Sequence, residues 1–180
     1  MDDDPLYEKA RQKALRYLAY RGRSVEEVRS KLAGKGFDDT IIKKVIDRFS
    51  DLGYLDDGNF ARQWAKSLAV HRLWGDRKIE ASLREKGISG DLIQEAIAGV
   101  RKEKDQRRAV QELVEKRLRR EPACEVFSYK GKRRLAQTLG GRGFPPGVIL
   151  DVLREMGDTP SDETDDPRTV GDGGDKGDTR

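Results

Sequence analysis

Three stretches of this chain can be laid over one another without a gap. With Leu32, Leu83 and Leu139 in register, an aliphatic residue lies four positions upstream of each (Val28, Ile79, Leu135). Three positions downstream comes a base (Lys35, Lys86, Arg142), then glycine (Gly36, Gly87, Gly143), then an apolar residue (Phe37, Ile88, Phe144). Further apolar positions recur at helical spacing: Ile42, Val45, Ile46 and Phe49; Ile93, Ala96, Ile97 and Val100; Ile149, Val152, Leu153 and Met156. The copies lie 51 and 56 residues apart. A period of this order marks tandem supersecondary units, each burying a face against its neighbour.

Each copy reads as three helices, so the expected fold is all-α, with three-helix repeats at 1–55, 56–101 and 102–157. In the first repeat Ser24 and Glu27 have the S-x-x-E spacing of a capping box at the start of helix two. Gly36 suits the left-handed residue that commonly closes a helix. Asp38 or Asp39 can cap helix three. In the second repeat Asp56 or Asp57 opens helix one, Gly75 and Asp76 start helix two, and Ser89 can cap helix three. The third repeat is the least regular: a charged helix over roughly 105–120 ended by Pro122, then a helix holding Leu135 and Leu139, then one begun by Pro145 and Pro146. After Gly157 the periodicity stops, and 158–180 reads as a disordered acidic tail.

Charge is unevenly placed. Residues 1–157 carry a net +9 and residues 158–180 a net −5. A basic body favours an anionic partner, nucleic acid or an acidic protein surface. Solvated helix faces account for single bases equally well. The densest cluster is Lys130, Lys132, Arg133 and Arg134, beside Tyr129. A second set, Arg77, Lys78, Arg84 and Lys86, shares helix two of the second repeat with Ile79 and Leu83, and Trp74 precedes it at a helix junction. Lys35, Lys86 and Arg142 also stand where a cation stabilises a helix C-terminus.

Catalysis has little support. His71 is the only histidine, and Cys124 the only cysteine. Cys124 excludes an internal disulfide and an ordinary multi-cysteine zinc site, and suits a reducing cytosol. Neither a phosphate-cradling glycine loop with its lysine nor a dinucleotide fingerprint occurs. Met1 is followed by Asp2, Asp3 and Asp4, and no apolar run approaches the ~20 residues that span a bilayer. The expectation is a cytoplasmic, non-enzymatic protein with no membrane contact, cofactor or metal, and a monomer, since the repeat ends are atypical. Helix two, a glycine turn and helix three look superficially like a helix-turn-helix. Yet Asp47, Asp51, Gln94, Glu95, Asp151 and Glu155 on the third helices would face DNA phosphates badly.

Ala14, Leu15, Arg16, Tyr17 and Leu18, then Arg21, then Arg23 through Val28 (RSVEEV), then Leu32, Lys35, Gly36 and Phe37, together strongly resemble the RecX family, regulators of the RecA recombinase. So do the run Leu52 to Asp57 (LGYLDD) with Phe60 and Ala61, and Trp74, Gly75, Ile79, Leu83, Lys86, Gly87 and Ile88. The likeness covers roughly 9–157, most specifically 14–97; the third repeat joins it mainly from Leu139 to Leu153. It implies an all-helical protein, three tandem three-helix repeats in an elongated, curved array, that lies along the RecA filament on single-stranded DNA. Such a protein inhibits filament growth, ATP hydrolysis and strand exchange, within bacterial DNA repair, recombination and the SOS response. It carries no catalytic motif to transfer. Expected contacts are therefore Arg77, Lys78, Arg84 and Lys86 in repeat two, and Lys130, Lys132, Arg133, Arg134 and Arg142 in repeat three. The alternative is a module that binds single-stranded or duplex DNA directly and acts by competition for it.

Overall fold

The computed structural model describes residues 4–157, and among these the regular elements are helical. The acidic tail expected over 158–180 lies outside the described residues. The first module holds α1 (Pro5–Tyr20), α2 (Val25–Ala33) and α3 (Asp39–Asp51). The second holds α4 (Asp57–Lys66), prolonged by a π-helical turn (Ser67–His71), then α5 (Asp76–Arg84) and α6 (Gly90–Glu103). The third holds α7 (Gln106–Leu118), a one-turn α8 (Ala123–Val126), α9 (Tyr129–Gly141) and α10 (Pro146–Gly157).

The repeated base–glycine–apolar run has a backbone cause. At the end of α2 the N–H of Gly36 donates to Ala33 O (2.9 Å) and that of Phe37 to Leu32 O (3.4 Å), the paired bonds of a Schellman turn. Gly87 and Ile88 repeat this on Arg84 and Leu83 (2.9 and 3.2 Å), and Gly143 and Phe144 on Gly140 and Leu139 (2.9 and 3.3 Å). The three glycines have φ of 81°, 75° and 88°, where a Cβ is disfavoured. Leucine and the residue after glycine are thus the two ends of one closing bond, and Ile88 and Phe144 are buried as the turn folds onto the core.

Helix starts follow the expected chemistry with two differences. Ser24 and Glu27 form the capping box, and Asp4, Asp38, Asp56, Asp105 and Ser128 each accept a backbone N–H of the following turn. Ser89 occupies the cap position of α6, but its hydroxyl makes no capping bond. Of the aspartate pair, Asp56 alone caps α4; Asp57 reaches back to the first module and accepts from Val25 N (2.9 Å). The third module also departs from three helices, because Pro122 restarts the chain as α8 rather than leading straight to α9.

Each module has its own apolar cluster, centred on Ile42 and Phe49, on Ile79 and Ile93, and on Leu139 and Phe144. One buried apolar side chain belongs to the core cluster of a neighbouring module. Leu73, from the link between the π-helical turn and α5, is 3 % exposed and packs in the third cluster. Its φ of 51° is the one positive value at a non-glycine among the described residues. A left-handed leucine costs about 1–2 kcal/mol, offset by ~2 kcal/mol from burying its side chain. Leu73→Ala is therefore expected to lower stability by about 2–3 kcal/mol, at the low end for buried leucines because a void opens at a junction that can close. Urea unfolding should show the loss chiefly in probes on the third module.

Candidate partner-binding surface and module junctions

The modules join by one recurring contact between helix ends. At the first junction the N-terminus of α2 meets the Schellman turn after α5: Ser24 Oγ donates to Lys86 O (2.7 Å) while accepting from Glu27 N (3.1 Å). At the second, the N-terminus of α5 meets the turn after α9: Gly75 N donates to Arg142 O (2.8 Å) and Arg77 N to Gly143 O (3.3 Å). Ser24 and Gly75 are register equivalents, as are Lys86 and Arg142. The close approach leaves no room for side chains. A Cβ on Gly87 would run into the Glu26 side chain, one on Gly75 into the Gly143 and Phe144 backbone, and one on Gly143 would lie 2.5 Å from Lys78 N.

The two junctions differ in what surrounds this contact. At the first, Glu27 holds Arg21 (2.7 Å) and Lys86 (3.0 Å), and the Lys86 ammonium lies 4.5 Å from the Trp64 ring centroid. Burial would raise the Glu27 carboxyl, but the hydrogen bonds from Arg21 and Lys86 outweigh it and hold the group at about 2. Burial pushes the neighbouring Asp57 carboxyl up, against the hydrogen bond from Val25. Because the folded-state value of Glu27 is depressed, its contribution is present above the unfolded value of about 4.3 and lost as pH falls towards 2. Glu27→Gln is expected to cost on the order of 2 kcal/mol at pH 6, after allowance for solvent screening. Urea midpoints for the two proteins should converge at acid pH.

At the second junction Lys78 stands in register with Glu27. Its ammonium lies 4.5 Å from the Trp74 ring centroid and donates to Gly141 O (3.3 Å), and Arg142 donates to Arg72 O (2.8 Å). Asp76, at the start of α5, is clamped by Arg101 (2.6 Å) and Gln106 (2.7 Å), which ties α7 to the second module.

The expected contact residues thus fall into two groups. Lys78, Lys86 and Arg142 sit at module junctions, with their cationic groups on carbonyls, a carboxylate or an indole face. Arg84 is exposed and paired with Glu80 (2.6 Å), and Arg77 is exposed without a carboxylate partner among the described residues. Lys130, Lys132, Arg133 and Arg134 lie together in the N-terminal half of α9, and no carboxylate among the described residues pairs with them. Tyr129 beside them is 82 % exposed. The first turn of α9 has no acidic residue, and the helix dipole disfavours cations at that end. Helix stability therefore does not account for Lys130 and Lys132 in that first turn. The junction roles of Ser24, Glu27, Asp57 and Leu73 were not read from the sequence. The S-x-x-E pattern flagged two of them, but only as a helix start.

Among the described residues, exposed Cys124 and His71 have no partner groups suited to nucleophilic chemistry, and no metal-binding cluster of His, Cys, Asp and Glu occurs. No described helix is long and apolar enough to cross a membrane.

Serial three-helix modules joined through stacked helix ends define a helical-repeat protein. Residues 10–49, 56–97 and 105–153 match the first, second and third three-helix domains of RecX. The chain belongs to the RecX family. It is 36 % identical over 148 residues to a regulatory protein RecX of Mycobacterium sp. (strain KMS), covering 81 % of this chain and 80 % of that one. A Clostridium botulinum (strain Alaska E43 / Type E3) regulatory protein RecX is 31 % identical over 147 residues, covering 82 % and 68 %. The crystal structure of RecX from Lactobacillus salivarius superposes with a TM-score of 0.73 at 26 % identity, covering 84 % of this chain and 96 % of that one.

Proposed function

We propose that this protein is a cytoplasmic, monomeric, non-enzymatic regulator that binds the RecA filament on single-stranded DNA and restrains filament extension, ATP hydrolysis and strand exchange during DNA repair. Membership of the RecX family supplies the class of partner. The observation that carries the reading is the unpaired cluster Lys130, Lys132, Arg133 and Arg134 on α9, whose first two members are set against the helix dipole. These four make the principal contact, with Arg77 and Arg84 as secondary contacts. Lys78, Lys86 and Arg142 act by holding the modules at a fixed spacing. A rigid serial body bound across adjacent RecA protomers would oppose both addition of the next protomer and the motion that accompanies turnover.

The same cations favour a second reading, direct binding to DNA. Salt separates the two. Binding through phosphates on single strands weakens log-linearly with a slope of about 0.7 per contact. A mixed protein interface depends on salt less steeply. Fluorescence anisotropy with labelled oligonucleotide, bare and RecA-coated, should give the shallower slope and tighter binding on the coated strand. Equal slopes and affinities would favour the DNA-binding reading.

A further inference from the structure

A cavity of about 510 Å³ opens on the third module between α7, α8 and α9. Leu113, Val126, Leu135 and Leu139 give it an apolar floor, and Arg120 and Arg134 stand at its rim. The other bases of the lining are spoken for: Lys116 pairs with Glu112, Arg117 with Glu121, and Arg142 donates to Arg72 O, while Glu125 is the one lining carboxylate outside these pairs. No carboxylate among the described residues pairs with Arg120 or Arg134. Two unneutralised guanidiniums over an apolar floor fit a peptide segment that alternates carboxylates with an occasional aliphatic side chain.

This chain contains such a segment. Residues 158–180 hold eight acidic and three basic side chains, and Val170 is their one strongly apolar residue. The described chain ends at Gly157, where an added Cβ would lie 3.1 Å from Lys132 Nζ and 3.2 Å from the Phe127 ring. Lys132 and Phe127 are each one residue from a cavity-lining position, Gly131 and Val126. Asp162, Glu163, Asp165 and Asp166 follow within nine residues of that exit. An extended chain covers ~30 Å in nine residues, whereas the 13 residues of α9 span only about 20 Å. A tether this short holds the segment at millimolar effective concentration, which an untethered acidic peptide must exceed to displace it.

We propose that the cavity is the seat of the chain's own acidic segment, with carboxylates of 162–166 on Arg120 and Arg134 and Val170 against the apolar floor. Seated there, the segment lies beside Lys130, Lys132 and Arg133 and competes with any anionic partner for the α9 face. The inference concerns a contact within the chain and stands whether or not the partner is the RecA filament.

The lone cysteine provides the probe. Cys124 is exposed on α8, next to cavity-lining Glu125. A nitroxide on Cys124 of the full chain should, at low salt, broaden away most of the amide intensity of residues 162–170. That broadening should be lost in Arg120→Glu/Arg134→Glu, and equally in Asp162→Lys/Glu163→Lys/Asp165→Lys/Asp166→Lys, which leaves the folded modules untouched. Arg48→Glu, at an exposed position of α3, should leave it unchanged. Three results would overturn the proposal: unbroadened signals in the full chain, broadening that survives Arg120→Glu/Arg134→Glu, or broadening abolished equally by Arg48→Glu. The first, combined with binding of a foreign acidic peptide that shifts cavity resonances, would assign the cavity to another protein.

Discussion

Gly143→Ala is expected to lower stability by about 3–5 kcal/mol, whereas Gly36→Ala, at the same point of the same turn, should cost only about 1–2 kcal/mol. Both glycines are left-handed, with φ of 88° and 81°, so both substitutions carry the same backbone penalty. They differ in surroundings. A methyl at Gly143 would meet Lys78 N at 2.5 Å and Lys78 Cβ at 2.7 Å, while one at Gly36 meets nothing within 4 Å. Lys78 cannot yield, because its backbone belongs to the first turn of α5 and the neighbouring Gly75 and Arg77 amides donate to this very turn. Strain at Gly143 therefore parts the second and third modules. Thermal melts should show a large drop for Gly143→Ala, with loss of cooperativity between modules. Equal costs at the two positions would mean that the stacked helix ends contribute little to the array.

Lys130→Ala/Lys132→Ala/Arg133→Ala/Arg134→Ala is expected to weaken binding to the RecA filament by 10-fold or more, with native helix content and unchanged stability to within ~0.5 kcal/mol. The side chains make no described ion pairs; Lys130, Arg133 and Arg134 are exposed and Lys132 is half-buried. Removing Lys130 and Lys132 from the first turn of the helix relieves an unfavourable dipole interaction, so any stability change should be slightly positive. The salt slope of binding should fall alongside the affinity, which anisotropy across a salt series would measure. A variant that binds as well as the parent would move the contact to another face.

What could be read in the sequence was the chemistry of neighbouring residues. The Leu32-to-Phe37 run closes its helix through bonds spanning five residues, and the Ser24–Glu27 box spans three. Such features repeat wherever their residues do, so the module count, the helical class and the ends of α2, α5 and α9 were all accessible. Contacts set by distant partners were not. Lys86 looked like a surface base because Glu27, 59 residues away, gives no local sign of meeting it. Leu73 lies in a short link with no periodicity of its own, and only the packing of the second module on the third shows that it completes a core. Asp57 looked like the twin of Asp56 until Val25 supplied a donor 32 residues upstream. For the candidate surface, the bases were visible but their division was not: the same residue type serves junctions at Lys78, Lys86 and Arg142 and faces outward on α9.

The filament reading is tested most directly by titrating this protein into cognate RecA assembled on single-stranded DNA and following ATP hydrolysis, in salt that abolishes binding to bare DNA. The account predicts inhibition well below one copy per RecA protomer, largely lost in the Lys130→Ala/Lys132→Ala/Arg133→Ala/Arg134→Ala variant. Hydrolysis that falls only when the protein saturates the DNA itself would contradict it.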